Sequence, residues 1–195
     1  MKGEIVELLI NTNRTNMAQL IEYMKENGFF EAPASTKFHG NYEGGLAEHS
    51  LNVYKMFDKF CEMFNLDVPK NSRIICGILH DLCKINQYVY DPIVKNYKWN
   101  KTNPKGHATL SIDRIKKFIE LTEFEETAIR YHMGLYGSHE WNTESWKHSE
   151  YSLKECMDVF HRSNKTLMFY FADHFCAAFI EKTKLKKEQE EKSKD

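Results

Sequence analysis

Residues Asn71–Lys84 read NSRIICGILHDLCK. Ile74, Ile75, Ile78, Leu79 and Leu82 surround nearly the whole circumference of one helix. Such a helix is expected to be central and buried rather than to lie on the surface. Its end carries His80 and Asp81. A carboxylate and an imidazole at the end of a buried helix are costly unless they are paired or hold a cation. The ordinary alternative is a helix C-terminus where His caps carbonyls and Asp faces water. This segment alone leaves the two readings level.

Working outward, Leu46, Val53, Phe57, Phe60 and Phe64 fall on one face of a helix over 46–64, with His49 on or beside that face. Met17–Glu26 reads as a short helix stopped by Gly28, followed by a loop through Pro33 to Gly45. Helix is expected again from Pro104 or Gly106 to about Ile119. Thr122 and Glu125 have the form of a capping box, which places Ile129 and His132 inside the next helix. Residues 134–147, with two glycines and two tryptophans, read as a loop. Helices over 153–160 and 164–181 follow. The Tyr-, Val- and Trp-rich stretch 87–101, around an Asp91-Pro92 turn signal, reads as a short β-hairpin or an extended flap. Residues 182–195 are Lys/Glu-rich with no apolar stripe, a solvated tail. The expected architecture is all-α: a single domain over 1–181, a bundle of about seven helices, with room for one short hairpin.

The chain has 195 residues, 42% of them hydrophobic and 28% charged. That balance supports a folded core and excludes a disordered or collagen-like chain. A net charge of −1 offers no bulk field for a nucleic-acid or membrane surface. Smaller nucleotides need only a few local cations. No apolar run is long enough to span a bilayer. The opening MKGEIVELLINTNR carries acids and lacks a signal-peptide pattern. The five cysteines are odd in number and form no CxxC pair. They read as reduced, mostly buried thiols of a cytoplasmic protein.

Further candidates lie on other expected helices: His49 in GGLAEHS, His107 in PKGHATLS, His132 in IRYHMG and Asp173 in FYFADHF. Singly, each His has an ordinary reading as a core or surface residue. Asp173, flanked by Phe169, Tyr170, Phe171 and Phe175, needs a partner, either a basic side chain or a cation. His174 sits about 100° round the helix from Asp173 and points elsewhere. His139, His148 and His161 read as surface or packing residues.

Taken in order, His49, His80-Asp81, His107, His132 and Asp173 resemble the HD superfamily of metal-dependent phosphohydrolases over about 38–180. The wording HGNYEGGLAEHS and LHDLCK is similar to the HD domain of bacterial 3′–5′ exoribonucleases. The resemblance implies that His49, His80, Asp81 and Asp173 hold one divalent metal. It implies a second at His107 and His132, with Asp81 bridging. Imidazole and carboxylate donors suit Mn, Fe, Zn, Ni or Co. The implied reaction is attack on phosphorus by a hydroxide that the metals activate. Asp81 would orient and bridge, and Lys84, from the HDxxK wording, would neutralise phosphate charge. His39, Tyr42, Lys105 and Arg130 are candidate substrate contacts.

Three departures shape the substrate expectation. Cys83 stands where relatives often have Gly, which says nothing about metals. The GYP signature of cyclic-dinucleotide phosphodiesterases is absent. No OB domain precedes the HD segment, which favours a nucleotide or other small phosphomonoester or phosphodiester over RNA. The ligand pattern is also shared with di-iron oxygenases of this fold, and a non-catalytic nucleotide-binding module is the third reading.

Overall fold

The computed structural model describes residues 1–36, 39–100, 107–138 and 150–181. Lys105, His139, His148 and the tail 182–195 lie outside these residues. The described chain forms α1 (Lys2–Ile10), α2 (Met17–Glu26), α3 (Gly45–Met63), α4 (Lys70–Leu79), β1 (Tyr88–Asp91), β2 (Asn96–Trp99), α5 (Ala108–Ile115), α6 (Glu123–Tyr131), α7 (Leu153–Arg162) and α8 (Asn164–Phe175).

Helix α4 occupies the centre, as its all-round apolar pattern predicts. Ser72 and every residue from Ile74 to Leu79 are buried. It packs most extensively on α3. Gly77 makes this possible, because a Cβ there would run into the Tyr54 backbone of α3. One side of the α3–α4 pair joins α1, α2 and α5 in a core that includes Ile5, Leu9, Leu20, Ile78 and Ile112. The other side meets α6 and α8 through Phe57, Cys76, Ala128 and Phe169. All five cysteines are free and buried.

Local signals set several boundaries. Gly28, at φ +81°, ends α2 in a Schellman turn, with Phe29 N–H donating to the Met24 carbonyl at 2.9 Å. Thr122 and Glu125 form the expected capping box. Residues 88–99 form a hairpin rather than a flap, with Tyr88 opposite Trp99 and Asp91 opposite Asn96. Asp91 accepts the Ile93 N–H at 2.9 Å, closing the turn.

Three helices differ from expectation in extent, and one is additional. Helix α4 stops at Leu79, and Leu82 falls in a separate 3-10 turn over Leu82–Lys84. Helix α5 stops at Ile115, and a turn then carries Ile119 into the core. This turn leaves room for the cap at Thr122. The last helix is α-helical only to Phe175, and Cys176–Ile180 widen into a π turn. The additional helix is α1, which buries Ile5 and Leu9.

Candidate metal centre

The imidazoles are fixed by their helix ends. His80 is the C-cap of α4 and His132 the C-cap of α6, where the last carbonyls lack intrahelical partners. His80 Nδ1 lies 3.0 Å from the Gly77 carbonyl oxygen and His132 Nδ1 2.6 Å from that of Ile129. A carbonyl can only accept, so each Nδ1 carries the proton. Each ring therefore turns its Nε2 inward. On the first turns of α3, His49 Nδ1 is 2.9 Å from Glu181 Oε1, so its Nδ1 proton is likewise held and Nε2 faces inward.

Asp81 divides the four histidines into two sets. Its Oδ2 lies 3.4 Å from His80 Nε2 and 3.7 Å from His49 Nε2. Its Oδ1 lies 3.1 Å from His107 Nε2 and 3.6 Å from His132 Nε2. Asp173, from α8, joins the first set, its Oδ1 being 3.1 Å from His49 Nε2 and 3.8 Å from His80 Nε2. All six residues named from the sequence therefore meet in one place.

The donor set fits a cation. His107 and His132 bring their Nε2 atoms to 3.3 Å. His80 Nε2 and Asp81 Oδ1 are buried with no hydrogen-bond partner, an arrangement that is costly without an ion. His49, His80 and Asp81 can offer ligand atoms within 4.8 Å of one another, and so can His80, His132 and Asp173. Imidazole and carboxylate donors suit a first-row divalent metal.

Comparison with known proteins agrees with this geometry. Residues 46–163 match the HD domain. The chain belongs to the HD domain family. A dihydroneopterin 2′,3′-cyclic phosphate phosphodiesterase of Methanocaldococcus jannaschii is 40% identical over 63 residues, covering 30% of this chain and 25% of that protein. The 3′-5′ exoribonuclease YhaM of a Geobacillus species is 28% identical over 152 residues, covering 73% of this chain and 45% of that protein. The chain thus spans less than half the length of these relatives. No solved structure gives a significant match. No helix among the described residues is long and apolar enough to cross a membrane.

Charges in this HD domain are tightly balanced. Burial alone would raise the Asp81 carboxyl, but Lys84, His80 and His107 hold it well below the usual range. Asp173 is likewise held low against burial, chiefly by His49 and His80. Burial opposes a charge on His49, yet Glu181 and Asp173 raise its pKa to about 10. Lys84 is buried, with Nζ 2.6 Å from Asp81 Oδ2, which keeps its ammonium charged.

Helix α5 braces the HD turn from outside. Ser111 Oγ accepts the Cys83 N–H at 3.0 Å. Arg114 Nη1 donates to the carbonyls of Leu82, Cys83 and Ile85 at 2.9–3.1 Å. Glu150 takes the His107 and Thr109 N–H groups at 2.9 and 2.8 Å. That contact caps α5 and anchors the His107 backbone.

The expected substrate contacts are placed unevenly. The His39 ring centroid is 4.6 Å from that of His49. Burial, with His49 and Lys84 nearby, lowers its pKa to about 3, so the ring is neutral. Tyr42, in the glycine loop, donates to Glu48 on the first turn of α3 at 2.9 Å. Arg130 is half-buried on α6 and forms no ion pair with the cluster among the described residues. Lys105 lies outside the described residues. His174 stacks between Tyr136 and Tyr170, away from the cluster.

Sequence reasoning missed three residues here. Glu181 was assigned only as the end of a regular helix. Glu150 followed a loop with no capping signal. Cys83, read as neutral toward metals, has its Sγ 3.0 Å from His107 Nδ1. The spacing from Asp81 to Cys83 gave no hint of this.

Proposed function

We propose that this HD domain is a metal-dependent phosphohydrolase acting on a nucleotide or another small phosphomonoester or phosphodiester. The observation that carries this reading is Asp81, whose two oxygens face two separate histidine pairs. His49, His80, Asp81 and Asp173 would hold one divalent ion, and His107 and His132 a second, with Asp81 shared. Mn, Fe, Zn, Ni and Co all suit these donors. When bound, such ions polarise a phosphoryl oxygen and make a water nucleophilic at neutral pH.

The chain's own residues do the rest. Asp81 fixes the separation between the two sides of the centre. Lys84 spends one contact on Asp81 Oδ2, and an ammonium has further N–H donors for a phosphate oxygen. The neutral His39 ring stands beside His49, with its Nε2 buried and unpaired, placed to hydrogen-bond a substrate. Asn41 donates to Asn96 at 3.0 Å, which ties the glycine loop to the hairpin as one wall. The relatives' names, a cyclic-phosphate phosphodiesterase and an exoribonuclease, support a nucleotide-like phosphodiester.

The test is product analysis with 2′,3′-cyclic nucleotides, nucleoside monophosphates, short oligoribonucleotides and a nitrophenyl phosphodiester. Each is assayed with Mn, Fe, Zn, Ni and Co. Metal-dependent hydrolysis that Asp81→Ala abolishes is expected. Stoichiometric metal binding with no hydrolysis of any of them would overturn the reading.

A further inference from the structure

We propose that Glu181 is a positioning residue that tightens the first metal ion through His49. The inference rests on the reading of His49 as a ligand, made above. Glu181 Oε1 lies 2.9 Å from His49 Nδ1, and both side chains are almost wholly buried, at 3% and 1% exposure. His49 Nε2 then faces Asp81 and Asp173. The order carboxylate, imidazole, ion site is complete.

The backbone is shaped to deliver this carboxylate. Along a regular α-helix, at about 100° per residue, Glu181 would sit about 80° round from Asp173. The π turn over Cys176–Ile180 turns more slowly, by about 80° per residue. Five such residues bring Glu181 back to within about 20° of the Asp173 direction. One helix thereby presents a candidate ligand and the partner of another candidate ligand on a single face. π turns inside helices are frequent at functional sites.

The partner's chemistry sets His49 apart. His80 and His132 give their Nδ1 protons to neutral carbonyl oxygens, and His107 Nδ1 meets a thiol. Among the described residues only His49 is paired in this way with a carboxylate. A carboxylate partner makes the imidazole a stronger donor and locks its ring plane. The His49 side of the centre is therefore the tighter one.

The test is titration of the metal-free chain with Mn²⁺, followed by calorimetry and by the paramagnetic resonance of free Mn²⁺. Wild type, Glu181→Ala and Glu181→Gln are compared, with the melting temperature of each metal-free protein. Glu181→Ala is expected to raise the Kd of the tighter ion about 10–100-fold. Glu181→Gln keeps an acceptor oxygen without the charge and should fall between the two. If Glu181→Ala fails to fold, Glu181→Gln decides. Tight-ion affinities within about twofold of wild type would overturn the inference, even if melting temperatures fall. Such a result, with wild-type binding and hydrolysis intact, leaves the phosphohydrolase reading standing. No binding of Mn²⁺ by wild type would remove both.

Discussion

Lys84 Nζ lies 2.6 Å from Asp81 Oδ2, and both side chains are buried. The HD carboxylate therefore has a fixed cation of its own. Without a metal, this ammonium offsets the desolvation of Asp81. Lys84→Ala should keep metal, because the imidazoles and both carboxylates remain. Its turnover should fall about 100-fold or more, the usual effect of losing a preorganised charge at a phosphoryl site. The metal-free variant should also lose roughly 3 kcal/mol of stability, since half of a buried ion pair is left alone. Elemental analysis, phosphate release and urea unfolding check the three parts. Metal loss would show that Lys84 shapes the ligand set instead.

Metal uptake should release protons. In the metal-free protein His49 is charged, because Glu181 and Asp173 outweigh burial and raise its pKa to about 10. The folded value lies above the ordinary 6.5. The charged ring thus stabilises the metal-free fold fully below pH 6.5, and that contribution is lost as pH rises through about 10. An ion at Nε2 has to displace that proton. Mn²⁺ affinity should therefore increase from pH 6 to pH 9. Calorimetry in two buffers of different ionisation enthalpy should show about one proton released per tight ion. A pH-independent affinity would contradict this.

The fold was legible where apolar period and capping chemistry agreed. Helix α4 was readable because Ile, Ile, Ile and Leu leave no polar face, and α6 because Thr122 and Glu125 cap it. Helix α1 was not, since its two buried anchors, Ile5 and Leu9, sit among acids in a short stretch. Asp81 and Asp173 stood out because a carboxylate among Ile or Phe side chains has few inexpensive partners. Glu181 stayed hidden because periodicity assumes 3.6 residues per turn, and the π turn breaks that rule. Cys83 and Glu150 act through contacts 24 and 43 residues away in sequence, and no local pattern encodes such contacts.

Gly77→Ala should damage the scaffold rather than the chemistry. Its Cβ would meet the backbone of Tyr54, which cannot swing aside as a long side chain could. Helices α3 and α4 would have to separate, costing roughly 1–3 kcal/mol. They carry His49 and His80, so metal affinity should fall with stability. Urea unfolding together with Mn²⁺ titration tests this, and full stability in the variant would show that α4 can slide freely.

The two sides of the centre should empty in order. His107 and His132 bring their Nε2 atoms to 3.3 Å. Where both rings carry their protons on Nδ1, two lone pairs face each other, so a cation is needed to hold them. This side has a weaker support than the other. His107 Nδ1 meets only the Cys83 thiol, which burial keeps protonated by raising its pKa to about 12. A thiol polarises an imidazole less than a carboxylate does. Graded addition of a chelator should therefore remove the His107–His132 ion first. His107→Ala should bind one ion per chain with the tight affinity unchanged, whereas His49→Ala should lose the tight ion. Cys83→Ala should weaken only the second ion, by roughly tenfold or less, because it removes a partner and not a ligand. Equal loss of both ions in His107→Ala would mean that the centre fills as one cooperative unit, with Asp81 binding neither ion alone.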